Sequence, residues 1–206
     1  EITKGSSKPT PIAVVPFGNT SGLPEDIQQI VSADLDRSGL FQTVAKGEML
    51  SHPTTQKEVY FRDWQRLKVS YVVIGSMSTT PDGRYALHFE LYDVISSRQV
   101  FSGNTVGQAS QLRDIAHAVS DAVFEKITGI PGIFSTKMVY VEDLGYAGPG
   151  RYRLVFADID GARERVLQAS KLPILSPVWS HRGDKIAYVS FETTRPAIYI
   201  MDLATG

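Results

Sequence analysis

The chain changes its periodicity once, near Ile133, and that change constrains its fold more than any other feature. Before it, short apolar runs alternate with helical patterns. After it, helical spacing disappears and short strands follow one another between Gly, Pro and Asp turns. Such a pattern predicts an α/β domain followed by an all-β one.

In the first part, Ile12 to Phe17 is a continuous apolar run, the pattern of an inner strand, with Pro16 removing a donor near its end. Pro24, Glu25 and Asp26 supply a helical first turn, Ile27, Ile30, Val31 and Leu35 recur at helical spacing, and Gly39 stops the helix. A second helix is predicted over Val59 to Leu67, with Phe61, Trp64 and Leu67 on one face, leading into a buried strand at Tyr71 to Gly75. The Thr80-Pro81-Asp82-Gly83 turn then feeds an alternating strand, with Tyr85, Leu87, Phe89 and Leu91 on one face. A partner strand at Gln99 to Val106 and a long helix ended by Gly129 complete an α/β sandwich with a mixed sheet.

The second part repeats itself. Lys137 to Val141, a turn, and Tyr152 to Gly161 are echoed by Lys185 to Val189, a turn, and Ala197 to Gly206. Tyr140 and Tyr188 stand 48 positions apart, and Asp158 and Asp202 stand 44 apart, the extra residues lying in the Gly145 to Gly150 loop. Spacings of about 40 to 50 residues belong to propeller blades. The expected organisation is a flexible tail over 1–10, an α/β domain over 11–130, and the first blades, about two, of an incomplete β-propeller over 131–206. Two blades cannot close a ring. The natural protein is therefore expected to be longer, and the open edge here to be paired with another chain or poorly ordered.

Charge and composition exclude several classes of partner. Lys plus Arg number 21 against 22 Asp plus Glu, without long runs, so no basic stripe tracks nucleic-acid phosphates. No cysteine is present, which excludes thiolate metal sites and a disulfide framework. No run approaches the roughly 20 apolar residues of a membrane-spanning helix. The chain begins without Met and without an apolar leader, so any targeting peptide is expected to lie outside it.

Several segments carry a family likeness. Pro11 to Phe17, Leu23 to Ile27 and Asp34-Leu35-Asp36-Arg37-Ser38-Gly39 resemble the N-terminal domain of the TolB family, of the Tol-Pal envelope system. Phe124 to Phe134 resembles that family's hinge between domain and propeller, and Ser176 to Ser180 with Ile186 to Glu192 resembles its propeller repeat. One departure is His181-Arg182-Gly183, where the repeat usually reads Pro-Asp-Gly; Gly183 keeps the turn. The resemblance implies a non-enzymatic periplasmic scaffold. It would bind the lipoprotein Pal through the propeller and the C-terminal domain of TolA through the N-terminal tail, supporting outer-membrane integrity and constriction at division. Bacteriocins exploit that system for entry. Carried onto this sequence, the TolA-binding tail is Glu1, Ile2, Thr3, Lys4, Gly5, Ser6, Ser7 and Lys8. Read from the residues alone, the same segment is a polar, frayed terminus; with the resemblance, its flexible character fits docking on a partner by adding a strand to a sheet edge.

The residues offer no competing chemistry. His52, His88, His117 and His181 have no ligand spacing, so neither a metal nor a cofactor is expected. No Gly-x-Ser-x-Gly elbow is present, and Ser176 and Ser180 beside Trp179 read as a propeller turn. The Gly18 to Gly22 turn lacks the Gly-x-Gly-x-x-Gly order and a Walker lysine, leaving at most weak anion binding. Trp64 and Trp179 read as core rather than as interface anchors. The alternative class is a fragment of a propeller-linked periplasmic hydrolase, which requires a catalytic triad outside these residues.

Overall fold

The structure, a computed structural model, describes residues 8–146, 148–193 and 195–205. The chain divides into two compact units, the first ending at Ser135 and the second starting at Thr136.

The first unit is built on one five-stranded sheet. Its strands are β1 (Thr10–Val14), β2 (Phe41–Thr43), β3 (Tyr71–Thr79), β4 (Tyr85–Asp93) and β5 (Arg98–Gly107), in the spatial order β2-β1-β3-β4-β5. β1 runs parallel to both β2 and β3, whereas β3, β4 and β5 form an antiparallel meander, so the sheet is mixed as expected. Helices α1 (Ile27–Arg37) and α3 (Leu112–Thr128) cover one face. Ile27, Ile30, Val31 and Leu35 pack there against Ile12, Val14, Phe89, Ile115 and Val119. The short helix α2 (Phe61–Arg66) lies on the other face, where Trp64, wholly buried, joins Ala13, Val15, Val72 and Tyr92. The continuous apolar run of β1 is thereby explained, because successive residues enter two different cores.

Three elements differ from the sequence expectation. α1 starts at Ile27, because Asp26 is its cap and accepts from the Gln29 N–H at 3.1 Å. α2 is shorter than 59–67, since Val59 and Tyr60 are extended after a single 3-10 turn at Gln56–Glu58. β2 escapes pattern reading because three residues offer no period. The Asp36 carboxylate holds it, accepting from Thr43 N at 2.7 Å and Thr43 Oγ1 at 2.6 Å. At the centre of the sheet Phe89 stands opposite Gly75 on one side and Gly103 on the other. A Cβ on Gly75 would lie 2.2 Å from His88 O, and one on Gly103 would lie 2.6 Å from the Phe89 ring, so both glycines are required by close approach.

The second unit holds two antiparallel three-stranded sheets. One is β6 (Lys137–Asp143), β7 (Tyr152–Asp158) and β8 (Arg165–Ser170); the other is β9 (Ile174–Trp179), β10 (Lys185–Ser190) and β11 (Ala197–Asp202). The repeat is visible in the register: Lys137 pairs with Asp158 as Lys185 pairs with Asp202. Superposing the hairpin β6-β7 on β10-β11 makes the two sheets complementary. The first carries the equivalents of blade strands two to four and the second of strands one to three, so each is a propeller blade short of one strand. Their shared core is Leu154, Ile174, Ile186 and Tyr188, with Trp179 half-buried beside it, edge-on to Phe156 at 6.0 Å. Among the described residues no helix is long and apolar enough to cross a membrane.

The division at Ser135/Thr136 falls later than the boundary at 130/131 read from the sequence. The physical reason is that Phe134 is buried against α3, edge-on to Phe124 at 5.6 Å, and belongs to the first core.

Candidate protein-binding surfaces

Of the eight tail residues, Glu1, Ile2, Thr3, Lys4, Gly5, Ser6 and Ser7 lie outside the described residues, and Lys8 is exposed. The chain then enters β1 at Thr10, whose N–H donates to Leu40 O at 2.8 Å and which pairs with Phe41. The tail therefore joins the domain at the amino end of an inner strand, one strand from the sheet edge.

In the second unit the strand directions gather the β6-β7 loop, the β8-β9 turn and the β10-β11 loop at one end. Between them is a groove of about 600 Å³ lined by Pro149, Gly150, Ala169, Lys171, Leu172 and Glu192. Exposed Leu144 and Tyr146 lie in the neighbouring loop, so this end offers apolar area beside the Lys171 and Glu192 of the groove. That loop is held by its own charges. Asp143 accepts from Arg151 Nε at 2.7 Å and Nη2 at 3.0 Å, and from Gly145 N at 2.9 Å. The guanidinium, with the loop N–H, holds the Asp143 carboxyl at about 2. Elsewhere on the same sheet, Tyr140 donates to Glu164 at 2.6 Å, and this hydrogen bond pushes the phenol up to about 12.

The opposite end is clamped by Asp158, almost wholly buried, which accepts from Lys137 Nζ at 2.8 Å and Arg163 Nε at 2.7 Å. Burial pushes its carboxyl up, but the two cations outweigh burial and the net displacement is downward. Asp202 repeats the motif more loosely, with Lys185 Nζ at 4.0 Å and Ala204 N at 2.9 Å. Ser180 opens a turn, as expected, donating to Asp184 at 2.7 Å, whereas Ser176 lies not in a turn but within β9, at a positive φ of 51°. On the sheet β9-β10-β11, Leu175, Val178, Ile198 and Ile200 share a face and all are exposed, Ile198 by 76% and Ile200 by 72%. The sheet thus presents an exposed apolar face.

An Asp, a His and a Ser do meet in the first unit, although sequence spacing gave no sign of it. Asp34 on α1 accepts from His117 Nδ1 at 2.7 Å and Ser120 Oγ at 2.8 Å on α3, and from Arg37 Nη1 at 2.9 Å. The order is wrong for nucleophilic catalysis: the hydroxyl donates to the carboxylate, not to the imidazole, and all three side chains are buried. The group ties α1 to α3. His52, His88 and His181 are exposed. The Gly18 to Gly22 turn borders a cavity of about 390 Å³ that includes Asn19, Asp26 and Lys46. Asp26 already caps the α1 terminus, and its carboxylate opposes an anion there.

Two family models match the chain, the TolB amino-terminal domain over residues 1–100 and the TolB beta propeller domain over 124–206. The Tol-Pal system protein TolB of Marinomonas sp. (strain MWYL1) is 48% identical over all of this chain and 48% of its own length. That of Hahella chejuensis (strain KCTC 2396) is 46% identical over all of this chain and 49% of its own. The crystal structure of TolB from Acinetobacter baumannii matches with a TM-score of 0.86 at 40% identity, covering all of this chain and 50% of that one. The chain thus spans about half the length of the relatives it matches. With its mixed α/β domain followed by two partial blades that repeat in register, the chain belongs to the TolB family of the Tol-Pal system.

Proposed function

We propose that the protein is a non-enzymatic scaffold of the periplasm that binds Pal through its propeller and the C-terminal domain of TolA through residues 1–8. In this reading it joins outer-membrane and inner-membrane partners, supporting envelope integrity and constriction at division, and it is open to bacteriocins that use the same route. The observation that carries the reading is the pairing of the two family matches across nearly the whole chain, with 48% identity to a Tol-Pal system protein. The local geometry agrees with binding rather than turnover. The Asp158 and Asp143 carboxylates are engaged by cations of their own sheet, while the groove at the β6-β7 loop end offers apolar area with Lys171 and Glu192. Such mixed rims favour protein partners.

The test is calorimetric titration of the full-length protein with the soluble domain of Pal. Saturable one-to-one binding, weakened when Leu172 is replaced by Asp, is expected. No heat and no complex on gel filtration at micromolar concentration would remove Pal from the account.

A further inference from the structure

We propose that the outer surface of α2, together with the β4-β5 turn beside it, docks on an anionic bilayer surface. The inference rests on the first unit alone and goes beyond the protein partners proposed above.

α2 turns its apolar residues inward: Trp64 is wholly buried, and Phe61 and Leu67 pack into the same core. Arg62 and Arg66 stand two residues to either side of Trp64, which directs both away from that core. Being four residues apart, they share one outward ridge. Lys68 follows the helix in the left-handed region, at φ 56°, and is exposed. Among the described residues none of these three cations has an ion pair or a side-chain hydrogen bond. Glu58, just before the helix, is occupied by its own turn, accepting from Thr54 N at 2.8 Å and Thr55 N at 3.2 Å. Asp63 is the one carboxylate on α2 itself, in a chain whose net charge is -1.

The apolar part of the surface is a turn held in place. Asp93 Oδ1 accepts from Ile95 N at 2.8 Å and Ser96 N at 3.0 Å. Gln65 Nε2 of α2 donates to Val94 O at 3.3 Å, so the turn is tied to the helix. Ile95 at the turn is 82% exposed, and Tyr60 at the N-cap of α2 is 65% exposed. Protruding apolar groups beside cations without partners suit an interfacial surface, where the former enter the headgroup boundary and the latter face phosphates. The form of the surface favours a bilayer over an acidic protein. Sites that select a single carboxylate fix their guanidinium groups with supporting hydrogen bonds. Arg62 and Arg66 have none and stand on a convex ridge, which matches many diffuse phosphates instead.

The test is cosedimentation of the full-length protein with vesicles of phosphatidylglycerol and, separately, of phosphatidylcholine, at about 0.05 M and about 0.5 M salt. The wild type should bind phosphatidylglycerol at the lower salt, leave it at the higher, and not bind phosphatidylcholine. Arg66→Ser should weaken partitioning about fivefold, and the combined Arg62→Ser, Arg66→Ser and Lys68→Ser variant at least about twentyfold. Ile95→Ser should weaken it about fivefold with the salt dependence kept. Lys126→Ser, which removes an exposed cation from α3, should stay within about twofold of the wild type. Thermal unfolding profiles establish that each variant is folded. No binding of the wild type to phosphatidylglycerol at the lower salt would overturn the proposal, and so would undiminished partitioning of the folded combined variant. Retention on immobilised polyglutamate without binding to the vesicles would also overturn it, assigning the surface to an acidic polypeptide.

Discussion

Replacing Asp34 by Ala removes the acceptor shared by α1 and α3, and its cost can be worked from the geometry. His117 Nδ1 and Ser120 Oγ both donate to Asp34, and all three side chains are buried. Ser120 also reaches Ala116 O at 3.1 Å, so its hydroxyl keeps an acceptor. Arg37 is 45% exposed in its side chain and turns to water, contributing little. The main loss is the buried imidazole donor, and taking away such an acceptor, with the small void left behind, costs about 3 kcal/mol. For a domain of this size that is a fall in Tm of roughly 10 °C. Ser120→Ala removes one bond with no buried donor stranded and should cost about 1 kcal/mol. The assay is urea unfolding of the full-length protein, followed through hydrogen exchange of α1 and α3 amides so that the first unit is observed separately. An Asp34→Ala loss below about 1 kcal/mol, or Ser120→Ala costing as much as Asp34→Ala, would refute the reasoning.

Other substitutions separate the remaining contacts. Gly75→Ala places a Cβ against His88 O in the middle of the sheet and should destabilise the first unit by about 3 kcal/mol in the same unfolding assay. Asp158 has a folded pKa below its unfolded value, so its contribution is fully present above the ordinary carboxylate range, near 4. It is lost as pH falls through the depressed folded value. Stability of the second unit measured by denaturant titration should therefore fall below about pH 4, and less steeply in Asp158→Asn. In Arg151→Gln the Asp143 carboxyl, followed by NMR titration, should rise from about 2 toward the usual range while the blade fold is retained. The 206-residue chain should self-associate through the Ile198 and Ile200 face, and Ile198→Lys with Ile200→Lys should reduce its sedimentation coefficient to that of a monomer.

Much of the fold was legible because its periods are long. Alternation in β4, helical spacing in α1 and α3, and the Lys137 and Lys185 repeats are each set by burial of one face, which sequence records directly. β2 was not legible, since its three residues are held by the Asp36 side chain rather than by a pattern. β8 and the bulged β9 were obscured by mixed polarity and by the positive φ of 51° at Ser176. The Asp34, His117 and Ser120 group spans more than eighty residues and shows itself only when α1 and α3 pack. The tail is the reverse case. Its small, polar residues carry no pattern that points to a role, and the proposed one rests on the family resemblance alone.

The central claim is tested most directly by titrating the C-terminal domain of TolA into the full-length protein and into a variant lacking residues 1–8. Binding that is saturable in the first and lost in the second, with the unfolding profile of both proteins unchanged, is the predicted result. Equal binding by both proteins, or by neither, would contradict the assignment of the tail as the TolA site.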